Sequence, residues 1–269
     1  MIRTIATILS ILCLVPPLVS VAQQYEFGIS GVGTGYMGDI NNSNPLYYRN
    51  IGGGAFVKYN LNSTWGFRGA FNYLPIYGND MDFPEGHHLS RGLLFNNNLK
   101  EFSVTAEFNF FKFIPGRQTN RYSPYILAGV AGISHSPYAY YQGNKVDLTQ
   151  PHLEVDENRR PINFSTWAFS IPIGVGFKYN IRGPWSIGAE INYRTVLSDH
   201  IDAVSQYYRT NATGMNEGEA VMADPMDPTG NLSERAGTLR GDGKRLDGYM
   251  TAGFTLTYTL ISKKCEWWQ

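Results

Sequence analysis

The stretch Trp167-Ala-Phe-Ser-Ile-Pro-Ile-Gly-Val-Gly-Phe-Lys-Tyr179 alternates without a break. Trp167, Phe169, Ile171, Ile173, Val175, Phe177 and Tyr179 fall on one face, and Ala168, Ser170, Pro172, Gly174, Gly176 and Lys178 on the other. Successive side chains of a strand point to opposite faces, so the period is that of a strand and not of a helix. A tilted strand needs about ten residues to cross a bilayer, and this segment is long enough.

The same period recurs outward in both directions. Phe102, Val104, Ala106, Phe108 and Phe110 alternate with Glu101, Ser103, Thr105, Glu107 and Asn109. Trp185, Ile187, Ala189, Ile191 and Tyr193 alternate with Ser186, Gly188, Glu190, Asn192 and Arg194. Met250, Phe254, Leu256, Tyr258 and Leu260 follow near the end, and weaker segments fall at 25–36, 50–60, 64–74 and 122–135. The total of eight is even, as single-chain bacterial barrels require, and predicts an eight-stranded antiparallel transmembrane β-barrel. The intervening stretches 61–63, 114–120 and 182–183 are short, whereas 37–49, 75–98, 136–163 and 198–247 are long and polar. Short periplasmic turns and long extracellular loops account for that division. No helical repeat is visible beyond the first residues.

The two faces tell inside from outside. A Lys or Arg facing lipid at the midplane costs about 2–4 kcal/mol, so the charged face must point inward. Lys58, Arg68, Glu107, Lys178, Glu190 and Arg194 are expected in the barrel interior, with Arg68, Glu107, Glu190 and Arg194 in one ionic network. Glu26 and Glu101 occupy the same face. Tyr59, Trp65, Tyr179 and Trp185 mark an inner aromatic girdle, and Tyr73, Trp167 and Tyr193 an outer one. Outer-membrane lipids are thus the first expected partner.

Composition agrees with this class. Among 269 residues, 22 Lys and Arg balance 22 Asp and Glu, which gives no electrostatic reason to expect nucleic acid. The N-terminus reads as a signal peptide over 1–22: Arg3, then an apolar run from Ile5 to Val15, then Ser20-Val21-Ala22 before the cleavage point. Pro16-Pro17 cuts the apolar run short of a membrane helix, and Leu12 before Cys13 argues against a lipoprotein. The barrel is assigned to 23–261 and a periplasmic tail to 262–269. Processing would leave Cys265 as the one cysteine, and an unpaired thiol in an oxidising compartment suggests an intermolecular disulfide. With Trp267 and Trp268 beside it, the tail is expected either to dock on a periplasmic partner or to rest as an anchor at the headgroups.

Chemical motifs are sparse, and no catalytic, cofactor or metal residues are expected. Gly33-Thr-Gly35-Tyr-Met-Gly38 matches a dinucleotide fingerprint by letter, but no amphipathic helix follows it. His87, His88, His135, His152 and His200 all fall in or beside the long connections, where solvated histidines are the default. The pairs His135-Ser136 and Asp199-His200 keep a lipid-modifying hydrolase open as an alternative. Arg240-Gly241-Asp242 reads as a turn, and Glu217, Glu219, Asp224 and Asp227 as a solvated acidic loop. A passive porin is excluded by strand count, since wide channels need about sixteen.

Tyr25-Glu-Phe-Gly-Ile-Ser-Gly31, Tyr36-Met-Gly-Asp-Ile40, Arg121-Tyr-Ser-Pro-Tyr125, Phe169 to Tyr179 and Leu197-Ser-Asp-His-Ile-Asp-Ala-Val-Ser205 together resemble PorG-like proteins. These are the outer-membrane barrels of the type IX secretion system. The resemblance implies a non-catalytic component of a protein secretion machine, associated with a periplasmic ring made of a lipoprotein and a partner subunit. The chain departs from the barrel pattern in continuing past its last strand as 262–269. A general OmpA/OmpX-like structural or adhesion barrel remains the broader alternative.

Overall fold

A computed structural model describes residues 25–261 except 42–43, 45–46, 84–87, 151–152, 163–164, 210–212, 228–234, 242 and 244–245. The signal-peptide segment with Cys13 and the tail with Cys265, Trp267 and Trp268 lie outside the described residues, as do His87, His152 and Asp242. In chain order the strands are β1 (Tyr25–Met37), β2 (Asn50–Asn60), β3 (Trp65–Asn79), β4 (Leu94–Asn109), β5 (Tyr122–Ser134) and β6 (Tyr138–Tyr141). There follow β7 (Asn144–Asp147), β8 (Glu154–Val155), β9 (Trp167–Arg182), β10 (Trp185–Val196), β11 (Tyr207–Tyr208) and β12 (Gly248–Thr259).

Eight of these strands close a ring in the order β1-β2-β3-β4-β5-β9-β10-β12, every pair antiparallel. Closure leaves no unpaired edge in the ring, the condition for carrying a backbone through hydrocarbon. The stretch that decided the fold is β9, whose odd-numbered residues face outward, with Phe169 at 72% and Ile173 at 58% exposure, while Ser170 and Lys178 are buried. Pro172 has no N–H to donate, and the β5–β9 ladder skips from Ala128↔Ile173 to Ala131↔Ser170 around it. Phe27, Ile29, Val57, Phe67, Phe71, Phe102, Val104, Ile187, Ile191 and Phe254 extend the apolar outer face around the ring. So large an exposed apolar surface is unfavourable in water, and lipid is the solvent that suits it. The chain is an outer-membrane β-barrel.

The turns divide as the sequence indicates. Connections 61–64, 110–121 and 183–184 lie at one end, where β1 starts and β12 ends, and 38–49, 80–93, 135–166 and 197–247 lie at the other. At the short-turn end the Tyr25 and Tyr59 rings meet at a tilt, 5.2 Å between centroids, and Trp185 meets Tyr258 edge to face at 5.0 Å. Phe113 and Ile114 of connection 110–121 are buried there, and the Phe113 ring centroid lies 4.6 Å from Lys178 Nζ inside the barrel.

The long connections differ from their reading as polar loops. β3 and β4 run past the barrel as one hairpin, paired from Tyr73↔Lys100 to Asn79↔Leu94. β6 and β7 form a second hairpin, and β8 pairs with β11. Asn216 caps a helix over Glu217–Ala223 with a full capping box to Glu219. These pieces pack into a cap with its own apolar core, which includes Ile40, Leu74, Ile76, Phe95, Leu99, Ile133, Leu153, Ile201 and Met222. Its apolar residues come from the loop-end tips of several strands and from the connections between them, so no one segment carries the core.

Candidate functional site

The lumen is filled by charge. Glu107 on β4 sits at its lower centre and accepts from Lys178 Nζ at 2.5 Å, Lys58 Nζ at 3.1 Å and Arg68 Nη2 at 2.8 Å. Lys58 also meets Glu26 at 2.7 Å, and Arg68 reaches across to Glu190 at 2.7 Å. Three cations and three carboxylates therefore cancel within one cluster. Tyr125 Oη donates to Glu190 at 2.6 Å and Asn60 Nδ2 to Glu26 at 2.7 Å, so the carboxylates have neutral donors as well. Buried charges survive desolvation only when paired and hydrogen-bonded in this way. Gly28 leaves room for the Phe56 ring, since a Cβ there would come within 2.2 Å of it, and that ring lies 4.6 Å from the Arg68 guanidinium.

Arg194 does not join this cluster. It donates instead to Glu101 at 2.7 Å and to Thr251 Oγ1 at 2.7 Å, while Tyr249 Oη and Asn72 Nδ2 also donate to Glu101, at 2.6 and 2.7 Å. The single network expected of Arg68, Glu107, Glu190 and Arg194 is thus two, one above the other. The reason is register: Arg194 pairs with Tyr249 and Glu101 with Asn72, near the loop end, whereas Glu190 pairs with Gly253 deeper in the barrel. Between the clusters lies a cavity of about 40 Å³ lined by Ser30, Ser103, Thr105, Asn192, Thr251 and Thr255. A water needs about 10–15 Å³ by this measure, so the space admits ordered water and not a solute.

Two buried arginines knit the cap. Arg91 forks onto Asp80 at 2.7 and 3.0 Å and donates to the carbonyls of Asp39 and Arg240, each at 2.8 Å. Arg240 pairs with Glu154 at 2.9 Å and donates to the Ala203, Met222 and Ala223 carbonyls, the last two closing the end of the helix Glu217–Ala223. Glu154 accepts in turn from Ser205 N and Oγ. Connections 38–49, 80–93, 135–166 and 197–247 are thereby tied through two guanidinium forks. Neither arginine announces this in sequence, because its partners lie from 11 to 149 residues away.

Several sequence readings change here. Arg240 of the Arg-Gly-Asp tripeptide is buried at 3% exposure and is a structural tie, not a simple turn residue. Glu217 and Glu219 form the first turn of a helix, and Asp224 accepts from Arg235 at 3.2 Å. His135 is buried rather than solvated, neither ring nitrogen has a hydrogen-bond partner, and burial lowers its pKa to about 4. Burial lowers that of His200 as well. Gly33 and Gly35 lie within β1, and among the described residues that follow, the next element is β2 and not a helix. No group of three or more His, Cys, Asp or Glu among the described residues is arranged to hold a metal.

No curated protein matches the chain. Among solved structures it is similar to the N-terminal β-barrel domain of OprF from Pseudomonas aeruginosa, at 13% identity over 88% of this chain and 98% of that one, with a TM-score of 0.38. It is similar also to Neisserial surface protein A (NspA), at 9% identity, 88% and 98% coverage and a TM-score of 0.42. Ail, the attachment invasion locus protein of Yersinia pestis, matches at 14% identity, 87% and 97% coverage and a TM-score of 0.38. Residues 5–220 match the family described as Domain of unknown function (DUF6089), and the chain belongs to that family.

Proposed function

We propose that this chain is a non-catalytic outer-membrane scaffold, a sealed barrel holding a folded cap, that serves a protein secretion machine. The observation that supports the scaffold reading is the charge-filled lumen beneath a cap packed around its own core. A barrel of about eight strands has an interior filled by side chains and conducts nothing larger than what those side chains admit. A lipid-modifying hydrolase needs a base within hydrogen-bond reach of a nucleophile. The His135 ring makes no such bond, which argues against it as that base.

The secretion part rests on the resemblance of the quoted segments to PorG-like barrels. A periplasmic ring lipoprotein and its partner subunit would meet the short-turn end, where β12 finishes and residues 262–269, with Cys265, Trp267 and Trp268, follow. Deleting the gene tests it: secreted cargo should accumulate in the periplasm, and the ring subunits should co-purify with the barrel from crosslinked membranes. Normal export overturns the secretion role and leaves the scaffold. The cap favours one second reading, an adhesion barrel, and loss of surface attachment with export intact would select it. Single-channel conductance from the purified protein would overturn the sealed lumen.

A further inference from the structure

We propose that the cap is fastened to the barrel by one proton shared between Asp202 and Asp247, and that the fastening loosens when that proton leaves. Both aspartates belong to connection 197–247, Asp247 immediately before β12, and both are buried, at 0% and 2% exposure. Between them stands Tyr36 at the top of β1. Its hydroxyl donates to Asp202 Oδ2, and Asp247 Oδ1 lies 3.3 Å from the same oxygen. The other carboxylate oxygens are taken: Val204 N donates to Asp202 Oδ1 at 2.9 Å, and Ile201 N to Asp247 Oδ2 at 3.3 Å.

The hydrogens do not suffice if both carboxylates are ionised. A tyrosine hydroxyl has one hydrogen to donate, and an ionised carboxylate has none. With a proton on Asp247 the chain completes itself: Asp247 donates to Tyr36 Oη, and Tyr36 donates to Asp202. The wall then joins connection 197–247 through two hydrogen bonds.

The surroundings offer no other counter-charge. The acids facing the pair are Asp39 after β1, Asp199 in the same connection and Glu154 on β8. The cations on that side are Arg91, held by Asp80 and two carbonyls, and Arg240, held by Glu154 and the Ala203, Met222 and Ala223 carbonyls. No Lys, Arg or His among the described residues forms an ion pair with Asp202 or Asp247. Nor do these acids, among the described residues, make a group of three or more arranged to hold a metal ion. A Cβ on Gly38 would come 2.1 Å from Tyr36 Oη and 2.3 Å from Asp247 Oδ1, and one on Gly241 2.5 Å from Asp39 Oδ2. A proton is the positive charge the packing admits.

The titration runs in the matching direction. Burial pushes Asp202 up to about 7, and burial with the Asp202, Asp39 and Asp199 charges pushes Asp247 well above the usual carboxylate range. A carboxylate whose folded pKa is raised stabilises the fold while protonated, and that stabilisation is lost as pH rises through the folded value. The fastening is therefore full below the ordinary carboxylate value near 4 and is lost as pH rises through the raised folded values, that of Asp247 last. His135 and His200 are both lowered, so neither takes up a proton above neutral.

Hydrogen exchange on the full chain in detergent, from about pH 6 to 9 and corrected for intrinsic base catalysis, tests this. Protection of 197–209 should fall by up to about tenfold per pH unit as pH rises toward the raised Asp247 value, the most one proton can give, while β4 and β9 stay protected. Asp247→Asn places a permanent donor beside Tyr36 and should flatten the profile. Asp202→Asn makes the same comparison if the first variant assembles poorly. A flat wild-type profile, or both variants keeping the wild-type slope, overturns the proposal.

Discussion

The lumen and the cap are two cores of opposite chemistry in one chain, and β3 and β4 belong to both. On β3 the even-numbered residues face inward along the whole strand. Low in the barrel they are Gly66, Arg68, Ala70 and Asn72; higher up they are Leu74 and Ile76, each 1% exposed. The outward face changes the other way, from Phe67 and Phe71 to Pro75, Tyr77 and Asn79. On β4 the inward row passes from Phe95 and Leu99 to Glu101 and Glu107. Parity never shifts; only the solvent outside does. Where lipid surrounds the wall, apolar groups go outward and the polar face is left to pair with itself. Where water surrounds it, the same inward positions make an ordinary apolar core.

The largest expected effect breaks the lumen alone. Glu107→Leu leaves Lys58, Arg68 and Lys178 around an apolar side chain, and stranding buried cations costs about 3–5 kcal/mol. The thermal midpoint in detergent should fall steeply, and an unchanged midpoint would mean that the three cations do not depend on Glu107. Leu99→Ala, at 0% exposure in the cap core, should cost about 2–5 kcal/mol by lost burial and cavity formation. Its effect should appear as faster exchange in 135–150 and 197–209, with the lower barrel intact. If both variants unfolded the molecule as one unit, the division into two cores would fail.

A third outcome concerns acid. His135 has a folded pKa near 4 against an ordinary value of 6.5. Because the unfolded form binds the proton more readily, cap stability is full above about 6.5 and is lost as pH falls toward 4. Protection of 136–150 should decline over that range, and His135→Gln should remove the decline. The aspartate fastening responds with the opposite sign over an overlapping range, and His135→Gln and Asp247→Asn separate the two. The smallest effect is expected at the surface. Arg49 pairs with Asp82 at 2.9 Å, but its side chain is 52% exposed, and Arg49→Ala should leave the chemical denaturation midpoint nearly unchanged. A larger loss would give that exposed pair the weight of a buried one.

The contrast also explains what could be read in advance. Residues 64–74 and 102–110 were legible as strands because apolar and polar groups alternate there with one sense. Beyond Leu74 and before Glu101 the strands continue, but the sense inverts, so the hairpin to Asn79 and Leu94 read as polar connection. Sorting Arg68 and Glu107 to the inward face needed only parity. Finding Arg240 under Glu154 needed the folded cap, since the two are 86 residues apart.

The sequence by itself determined the period, the number of barrel strands, which face meets lipid and which end carries the long connections. Those follow from the local geometry of a strand, in which each side chain's direction is set by its position in the count. Tertiary structure alone decided which charge meets which. Arg68 on β3 reaches Glu190 on β10, and Tyr36 on β1 stands between Asp202 and Asp247, across a ring that is fixed only when β1 closes on β12. Pairing across a lumen depends on register and distance between strands that are not neighbours, and no local pattern in the chain encodes either.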